Sequence, residues 1–386
     1  MPLRLVVLGI MGECPFGGQT WLYLNWLRGL AALGHEVWYV EDTLAWPYDP
    51  ARDTVTDDCT YAVRHIADAL ARIGLGDRWA YRFAGRRDRC WGLTAAQLEE
   101  LYRSADALLN LVGTALREEH LAAPYRVWIQ TDPVTPELRL AAGDETMRRF
   151  FASHHVVVTY GENYGAPDCG VPLAPVTYRT IRQPVDLELW PMAWAPDAPH
   201  FTTIGNYRQD GRDVAYGGEV YRWSKHWEWE KILDLPRRTR QTFELAVTAA
   251  PEDAERLRRH GWRVISPLPF SLDVFGAYPA YIRGSRAELT VAKDQNVRLR
   301  SGWFSERDAC YLAAGKPVVA QDTGFTNVLP VGEGLFAFRD VEEARAAVEA
   351  INADYRRHAR AARALAREFF ETRRVARRLL EAIGLA

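Results

Sequence analysis

The chain has 386 residues, 48% of them hydrophobic, which is enough for two domains with sizeable cores. Its 48 basic and 50 acidic residues nearly cancel, so charge gives no reason to expect a nucleic acid partner. The five cysteines are scattered, no apolar run reaches 18 residues, and the N-terminus lacks a secretion-signal pattern, so we expect a cytoplasmic chain with reduced thiols and no transmembrane segment.

The first forty residues predict a strand, a helix and a second strand. Residues 3–10 are continuously apolar, as in a buried strand, and a glycine-containing loop follows at 11–18. Thr20 is the expected cap of a helix that ends near Leu33, before a strand at 35–40.

The rest of the first half continues the alternation. We expect a helix over 55–75, an irregular segment over 76–93, and a helix that starts at Thr94. Strands are then predicted at 107–112, 125–130 and 156–160. Strands that alternate with helices indicate an α/β fold with a parallel sheet, whose carboxyl ends carry the ligands.

A proline-rich stretch at 171–200 is the predicted connection to a second domain. There we expect strands at 201–205, 242–248 and 262–265, and helices at 216–233 and 251–260. Residues 341–384 are predicted to be almost entirely helical.

The stretch from 300 to 330 has the clearest local signals. Ser305 and Asp308 have the spacing of a capping box, Gly315 suits the end of the helix, and Pro317 begins a short apolar strand. Residues 321–327 then form a polar turn around Gly324. A turn at the end of a strand, together with a helix N-terminus, can hold a diphosphate.

The phrase LAAGKPVVAQDTGF at 312–325 resembles the donor-site segment of GT-B glycosyltransferases, and LxxxGHEVxxV at 30–40 resembles the start of their N-terminal domain. The resemblance implies two Rossmann-like α/β domains whose parallel sheets face each other across a cleft. The group that the sequence resembles is a divergent one, near the CgeB-like or glycosyltransferase family 1-like proteins. Many retaining members carry two glutamates where Gly302 and Cys310 stand here, so the stereochemical outcome stays open.

The resemblance also divides the chain. Residues 1–190 correspond to an N-terminal domain on the acceptor side, and residues 200–365 to a domain that binds the nucleotide-sugar donor. Residues 366–386 are a C-terminal helix that can return to the first domain. Function would be transfer of a sugar from a nucleoside-diphosphate sugar to a small-molecule or glycan acceptor, with no further cofactor. A sugar-nucleotide epimerase or hydrolase, or a non-catalytic sugar-nucleotide-binding subunit, stays open, as does the oligomeric state.

Donor contacts are expected from backbone amides and cations. The amide candidates surround Thr323, Gly324 and Phe325, and Thr326 adds a hydroxyl; Gly302 and Ser305 belong to the adjoining helix entrance. The candidates from side chains are Arg208, Lys225 and Lys293 for the diphosphate, and Glu306 and Asp308 for ribose. Surface charge is the simpler explanation of each lysine alone, and helix capping explains the two carboxylates equally well. We expect Gly324→Val to weaken donor binding with the fold intact.

The acceptor hydroxyl needs a base, and three carboxylates follow predicted strands of the first domain. Glu13 ranks first, Glu162 second and Asp132 third, although Asp132 also suits a turn before proline. The sequence has no Asp-x-Asp motif and no Cys/His cluster, so we expect catalysis without a metal ion.

Overall fold

A computed structural model describes all residues from Met1 to Ala386. The first half forms an eight-stranded sheet in the order β10-β9-β8-β7-β1-β2-β5-β6, parallel except between β5 and β6. Its strands are β1 (Arg4–Leu8), β2 (Glu36–Glu41), β5 (Trp79–Arg82), β6 (Cys90–Trp91), β7 (Ala107–Leu111), β8 (Arg126–Gln130), β9 (Val156–Thr159) and β10 (Tyr178–Thr180), and β3 (Tyr48–Asp49) with β4 (Thr54–Val55) forms a separate ribbon.

The second half forms a six-stranded parallel sheet in the order β15-β14-β11-β16-β17-β18. Its strands are β11 (His200–Asn206), β14 (Thr242–Thr248), β15 (Arg263–Ile265), β16 (Ala287–Thr290), β17 (Val318–Gln321) and β18 (Leu335–Phe338). A two-stranded hairpin, β12 (Val214–Tyr216) and β13 (Glu219–Tyr221), lies outside both large sheets.

Helices flank both sheets. In the first half they are α1 (Gly17–Ala32), α2 (Thr60–Ala71), α3 (Ala95–Ser104), α4 (Thr135–Ala141) and α5 (Glu145–Ala152). In the second half they are α6 (His226–Lys231), α7 (Pro251–Arg259), α8 (Leu268–Leu272), α9 (Ala277–Gly284), α10 (Asp294–Arg298), α11 (Glu306–Ala313), α12 (Val341–Ala353), α13 (Tyr355–Leu365) and α14 (Thr372–Ala382). None of these helices has the length and apolar character needed to cross a membrane.

Local sequence signals account for most of these elements. The predicted strands at 107–112, 125–130, 156–160 and 242–248 are confirmed to within one residue at each end. Thr94 caps α3 with a capping box that Gln97 completes, and Ser305 caps α11 with Asp308 as its partner. Gly315 has a φ of 69°, as expected of the residue that ends a helix.

Three local predictions are wrong. The first helix begins at Gly17, so Thr20 lies inside it and bonds to His65 instead of capping it. Residues 76–93 contain β5 and β6. Most of 216–233 is not helical, because Gly217 and Gly218 take positive φ values and turn the chain into the β12–β13 hairpin, which leaves only the short α6.

The two domains pack tightly against each other. One apolar core of 56 buried side chains includes residues of both sheets. The chain crosses between the domains twice, and the crossings run side by side where Val185 donates a backbone hydrogen bond of 2.7 Å to Phe370. After the second crossing α14 packs on α1, where the Thr372 hydroxyl donates to the carbonyl of Asn25 at 2.5 Å.

A buried ionic network holds the first domain together beneath the end of β2. Asp42 accepts hydrogen bonds from Arg82 Nε at 2.8 Å and from the Tyr102 hydroxyl at 2.9 Å, and His120 Nε2 lies 3.0 Å away. The side chains of Asp42 and Arg82 are fully buried. These hydrogen bonds hold the pKa of Asp42 well below its usual range, against the opposing effect of burial.

Candidate functional site

The carboxyl ends of the two sheets face each other across a narrow cleft. Lys293, just after β16, forms an ion pair with Asp132, just after β8. Beside it the Trp303 indole donates to the carbonyl of Thr131 at 3.0 Å. Ligands of parallel α/β sheets bind at this end of the strands, so the cleft is the candidate site.

The helix α11 presents its N-terminus to the cleft. There the Asp308 carboxylate accepts the Ser305 amide at 3.3 Å, and the Ser305 hydroxyl accepts the Arg307 amide at 3.3 Å. Glu306, the first residue of the helix, is half-buried. Burial raises its pKa to about 7, and the negative charges of Asp132 and Asp308 add to the effect. Glu306 is therefore a carboxyl group that can gain or lose a proton near neutral pH.

Two lysines stand beside this helix. Lys225 is half-buried without a salt-bridge partner, and its ammonium lies 5.3 Å from the centroid of the Trp303 ring. Burial lowers the pKa of Lys225 to about 7, and the positive charge of Arg307 lowers it further. Lys293 lies 3.0 Å from the centroid of the Trp223 ring. Burial lowers the pKa of Lys293, and the charge of Asp132 opposes that change. The site thus holds one free and one paired ammonium.

The structure does not bring Arg208 into this cluster. Its guanidinium donates two hydrogen bonds of 2.9 Å to Asp253 and lies 2.9 Å from His226 Nε2. Arg212, four residues later, is exposed and has no salt bridge. Burial raises the pKa of Cys14 in the first domain and lowers that of Lys293 in the second. The positive charge of Arg212 opposes the first change and adds to the second. Arg212 is therefore the arginine of this loop that faces the cleft.

The polar turn after β17 is bonded mostly to itself and to the entrance of α11. Asp322 accepts the Gly324 amide at 2.8 Å and the Thr326 hydroxyl at 3.2 Å. The Thr323 hydroxyl donates to the carbonyl of Trp303 at 2.6 Å, and its own carbonyl accepts the Gly302 amide at 2.7 Å. Phe325 is buried against Phe304, with 5.3 Å between ring centroids. This turn therefore supports the entrance of α11.

Two glycines let the first domain approach the second. Gly302 has a φ of 81° and Gly324 a φ of 94°. A Cβ at Gly324 would lie 2.7 Å from the side-chain nitrogen Nδ2 of Asn163, and a Cβ at Gly302 would overlap the Asn163 backbone. Both positions therefore need glycine for the contact with Asn163 as well as for backbone conformation.

The positive φ of Gly324 adds a loss of stability to the expected effect of Gly324→Val. The substitution should weaken nucleotide binding and also lower the free energy of unfolding by about 1–3 kcal/mol, because a β-branched residue is strained at this φ and meets Asn163. Chemical denaturation measures the second effect. Gly332→Val is the control, because Gly332 also has a positive φ but has no atom within 4 Å of the place that a Cβ would take. Equal stability losses in both variants would show that the Asn163 contact contributes nothing.

The opposite wall of the cleft carries Glu13, in the loop after β1. Glu41, the last residue of β2, is fully buried and accepts the amides of Gly12 at 2.7 Å and Glu13 at 2.6 Å, together with the Tyr39 hydroxyl at 2.8 Å. Burial raises the pKa of Glu41 to about 7, and these three hydrogen bonds oppose that change. Burial raises the pKa of Glu13, and the negative charge of Glu41 raises it further. Sequence analysis missed Glu41, although a charged residue directly after an apolar strand is a usable signal.

The other two candidate bases differ in accessibility. Asp132 keeps its ion pair with Lys293 in the cleft, and its second oxygen is buried without a hydrogen-bond partner. Glu162 forms a salt bridge of 2.8 Å with Arg182, and Arg378 of α14 lies 3.6 Å away. The Glu162 side chain is only 5% exposed and is already paired with Arg182, so an acceptor hydroxyl cannot easily reach it. This argues against Glu162 as the base.

A buried arginine that the sequence analysis did not single out fixes the first turn of α11. Arg307 donates to Glu288 at 2.5 Å, to the carbonyl of Ile204 at 2.6 Å and to the Thr290 hydroxyl at 2.8 Å. Asp308 is only 2% exposed beside Glu288, and burial raises the pKa of both carboxyl groups. Asp308 therefore serves as a buried cap, and Glu306 is the carboxylate of this turn that faces the cleft.

The arrangement combines anion binding with proton transfer. The groups suited to an anion are the N-terminus of α11, Lys225, Lys293 and Arg212, and those suited to proton transfer are Glu13, Asp132 and Glu306. No three His, Cys, Asp or Glu side chains lie close enough together to hold a metal ion.

The sequence matches no family model and no curated protein. Solved structures show the same fold at low sequence identity. HepE from Anabaena, in complex with UDP and glucose, is similar at a TM-score of 0.59 and 12% identity over 100% of both chains. An alpha-glucosyltransferase in complex with UDP is similar at a TM-score of 0.60 and 11% identity, over 99% of this chain and 100% of that one.

A third similar structure is sucrose-phosphate synthase from Thermosynechococcus elongatus, at a TM-score of 0.54 and 12% identity over 98% of both chains. The predicted fold is therefore confirmed. The chain has two Rossmann-like α/β domains in the GT-B arrangement, with their parallel sheets facing across a cleft.

Proposed function

We propose that this protein transfers a sugar from a nucleoside-diphosphate sugar to an acceptor, without a metal ion. The observation that carries the proposal is the cleft itself, where the N-terminus of α11 and the unpaired Lys225 face carboxyl groups of the other domain. Similar structures hold UDP, and one holds UDP-glucose, which supports a nucleotide-sugar donor.

Each group in the cleft has a role in this proposal. Lys225, Arg212 and the helix N-terminus stabilise the negative charge that develops on the departing diphosphate. Glu306 lies where it can hydrogen-bond a sugar or ribose hydroxyl. Glu13 removes the proton of the acceptor hydroxyl if configuration inverts, with Asp132 next in order.

The test is calorimetry with UDP, GDP, ADP and dTDP, followed by turnover of the matching nucleotide sugars. We expect one of these nucleotides to bind with a Kd below 1 mM. Turnover that needs an added acceptor supports a transferase. Turnover without any acceptor identifies an epimerase or hydrolase, and binding without turnover identifies a non-catalytic subunit. No binding of any nucleotide at millimolar concentration would refute the proposal.

Lys225→Ala should weaken nucleotide binding at least tenfold, about 1.4 kcal/mol, because it removes the unpaired ammonium beside the N-terminus of α11. Lys225 has a pKa of about 7 before binding, so a diphosphate must stabilise its charged form. Binding to the wild type above pH 7 should therefore take up a proton, and affinity should fall as pH rises.

Calorimetry in buffers of different ionisation enthalpy measures that proton, which Lys225→Ala should not take up. Arg237→Ala, a substitution at an exposed position of the same domain, is the control and should bind as the wild type does. Unchanged proton uptake in Lys225→Ala would assign the proton to another group, such as Glu306.

Activity should survive removal of divalent metal ions. The cations that this chain itself supplies support the proposal, as does the lack of an Asp-x-Asp motif in the sequence. We expect the initial rate in excess EDTA to remain within about twofold of the rate in magnesium, since losing a Lewis acid would cost several kcal/mol. Loss of activity in the chelator and recovery with magnesium or manganese would contradict this.

A further inference from the structure

An open groove of about 170 Å³ lies between the two domains, beside α2. One wall is a stripe along α2 formed by Tyr61, His65, Asp68 and Arg72, whose spacing of four, three and four residues places them on one helix face. The other wall is the segment 272–275 of the second domain, which joins α8 to α9. The proposed donor contacts involve none of these residues.

The polar groups of this groove are mostly unpaired. Arg64, Arg72 and Asp68 are exposed and form no salt bridge. The Arg72 guanidinium lies 4.2 Å from the centroid of the Phe275 ring in the opposite wall. The Asp273 carboxylate already accepts two backbone amides, at 3.0 and 2.8 Å, which holds its oxygens in place. The groove therefore offers one fixed carboxylate, that of Asp273, and three exposed charged side chains without an ion-pair partner.

The chemistry of the lining selects a neutral, hydroxyl-rich ligand. Two arginines and two aspartates balance in charge, so the groove has no excess of either sign for an ion. Burial lowers the pKa of His65 to about 4, so its ring is neutral at physiological pH. Planar guanidinium and carboxylate groups match pairs of adjacent hydroxyls, and the Tyr61 ring matches the C–H face of a sugar ring, whereas Arg72 covers the Phe275 ring.

The groove is sized for a single ring and borders α1. Its volume equals that of about six liquid water molecules at about 30 Å³ each. His65 lies 2.9 Å from the hydroxyl of Thr20 in the first turn of α1. At the start of that helix, Gly17 closely approaches the Tyr278 ring of the second domain. The groove thus borders the helix that the Glu13 loop enters.

We propose that this groove binds one sugar ring of the acceptor, so that the acceptor is a glycoside or oligosaccharide. The inference rests on the proposed transferase function. A sugar ring is also part of the donor, so the experiment must distinguish the two sources. Asp68→Ala and Arg72→Ala remove exposed, unpaired groups on α2. The control is Arg148→Ala on α5, where an exposed arginine has no contact with the groove.

The probes are methyl glucoside, methyl galactoside, methyl mannoside and methyl N-acetylglucosaminide, tested by saturation-transfer NMR with UDP present. We expect ring-proton signals from at least one glycoside with the wild type and with Arg148→Ala, and at least a fivefold loss in Asp68→Ala and Arg72→Ala. UDP affinity, measured by calorimetry, should stay within twofold in all four proteins.

Three results would overturn the inference. One is the absence of signal from every glycoside with the wild type, and another is binding of glucose 6-phosphate or glucuronate in place of the neutral glycosides. The third is a loss of UDP affinity in the two α2 variants, which would assign the groove to the donor. If glycosides bind as expected while no nucleotide binds, the groove stands as a sugar site and the transferase function fails.

Discussion

Glu13→Gln is expected to lower kcat/KM by about 10²–10⁴-fold, the usual contribution of a general base, while nucleotide affinity stays unchanged. Glu13 lies in the loop after β1, on the wall opposite α11, and the amide cannot accept the acceptor's proton. Steady-state kinetics against a competent acceptor measures the first effect, and calorimetry measures the second.

The pH dependence gives Glu13 a signature of its own. Burial and the charge of Glu41 raise the pKa of Glu13. We therefore expect kcat/KM to keep rising with pH to a pH well above 4.5, the ordinary pKa of a glutamate. Glu41→Gln removes the neighbouring negative charge and should move that rise to lower pH. It also replaces one of the oxygens that accept the Gly12 and Glu13 amides, so its stability must be measured alongside.

The matched control is Glu162→Gln, which should turn over normally because Glu162 is already paired with Arg182. Normal turnover by Glu13→Gln, together with a defect in Asp132→Asn, would move the base to Asp132. If all three variants are active, the reaction either retains configuration or uses the donor phosphate as its base.

Asp42→Ala is expected to cost about 3–5 kcal/mol of unfolding free energy at pH 7, because it removes the buried carboxylate to which Arg82 and Tyr102 donate. The other carboxylates near Arg82, those of Glu119 and Glu99, lie 3.4 and 3.6 Å away. Urea denaturation measures this loss. Asp49→Ala is the control, since Asp49 is an aspartate of the same domain whose salt-bridge partner Arg52 is half exposed.

Acid gives an independent check on Asp42. Its pKa is lower in the folded than in the unfolded chain, so the carboxylate stabilises the fold at neutral pH and this contribution falls away below about pH 4. The difference in stability between wild type and Asp42→Asn should therefore shrink as the pH falls from 5 toward 2. A difference that stays constant over this range would show that the pKa of Asp42 is not lowered in the folded protein.

The fold was predictable because its signals are local. The apolar runs of β7, β8 and β14 identify buried strands without any knowledge of their neighbours, and the caps of α3 and α11 follow from side chains three residues apart. The hairpin of β12 and β13 is the exception. Its two adjacent glycines were a turn signal, but the helical appearance of the following residues obscured it.

The site was less predictable because it depends on where side chains point. Arg208 and Arg212 lie in one short loop, and only the contact of Arg208 with Asp253 shows which of them is free. Glu162 follows a strand as a catalytic carboxylate would, yet its partner Arg182 comes twenty residues later in the chain. Glu306 and Asp308 are equivalent as first-turn acids, and burial alone separates them.

The return of α14 to the first domain affects the order in which the protein can fold during synthesis. The hydrogen bond between Thr372 and Asn25 joins residues 347 positions apart. Part of α1 therefore has no covering until the ribosome has passed Thr372. The N-terminal domain emerges first but is completed last. The apolar face of α1 that α14 covers is therefore exposed, to solvent or to chaperones, while the second domain is translated.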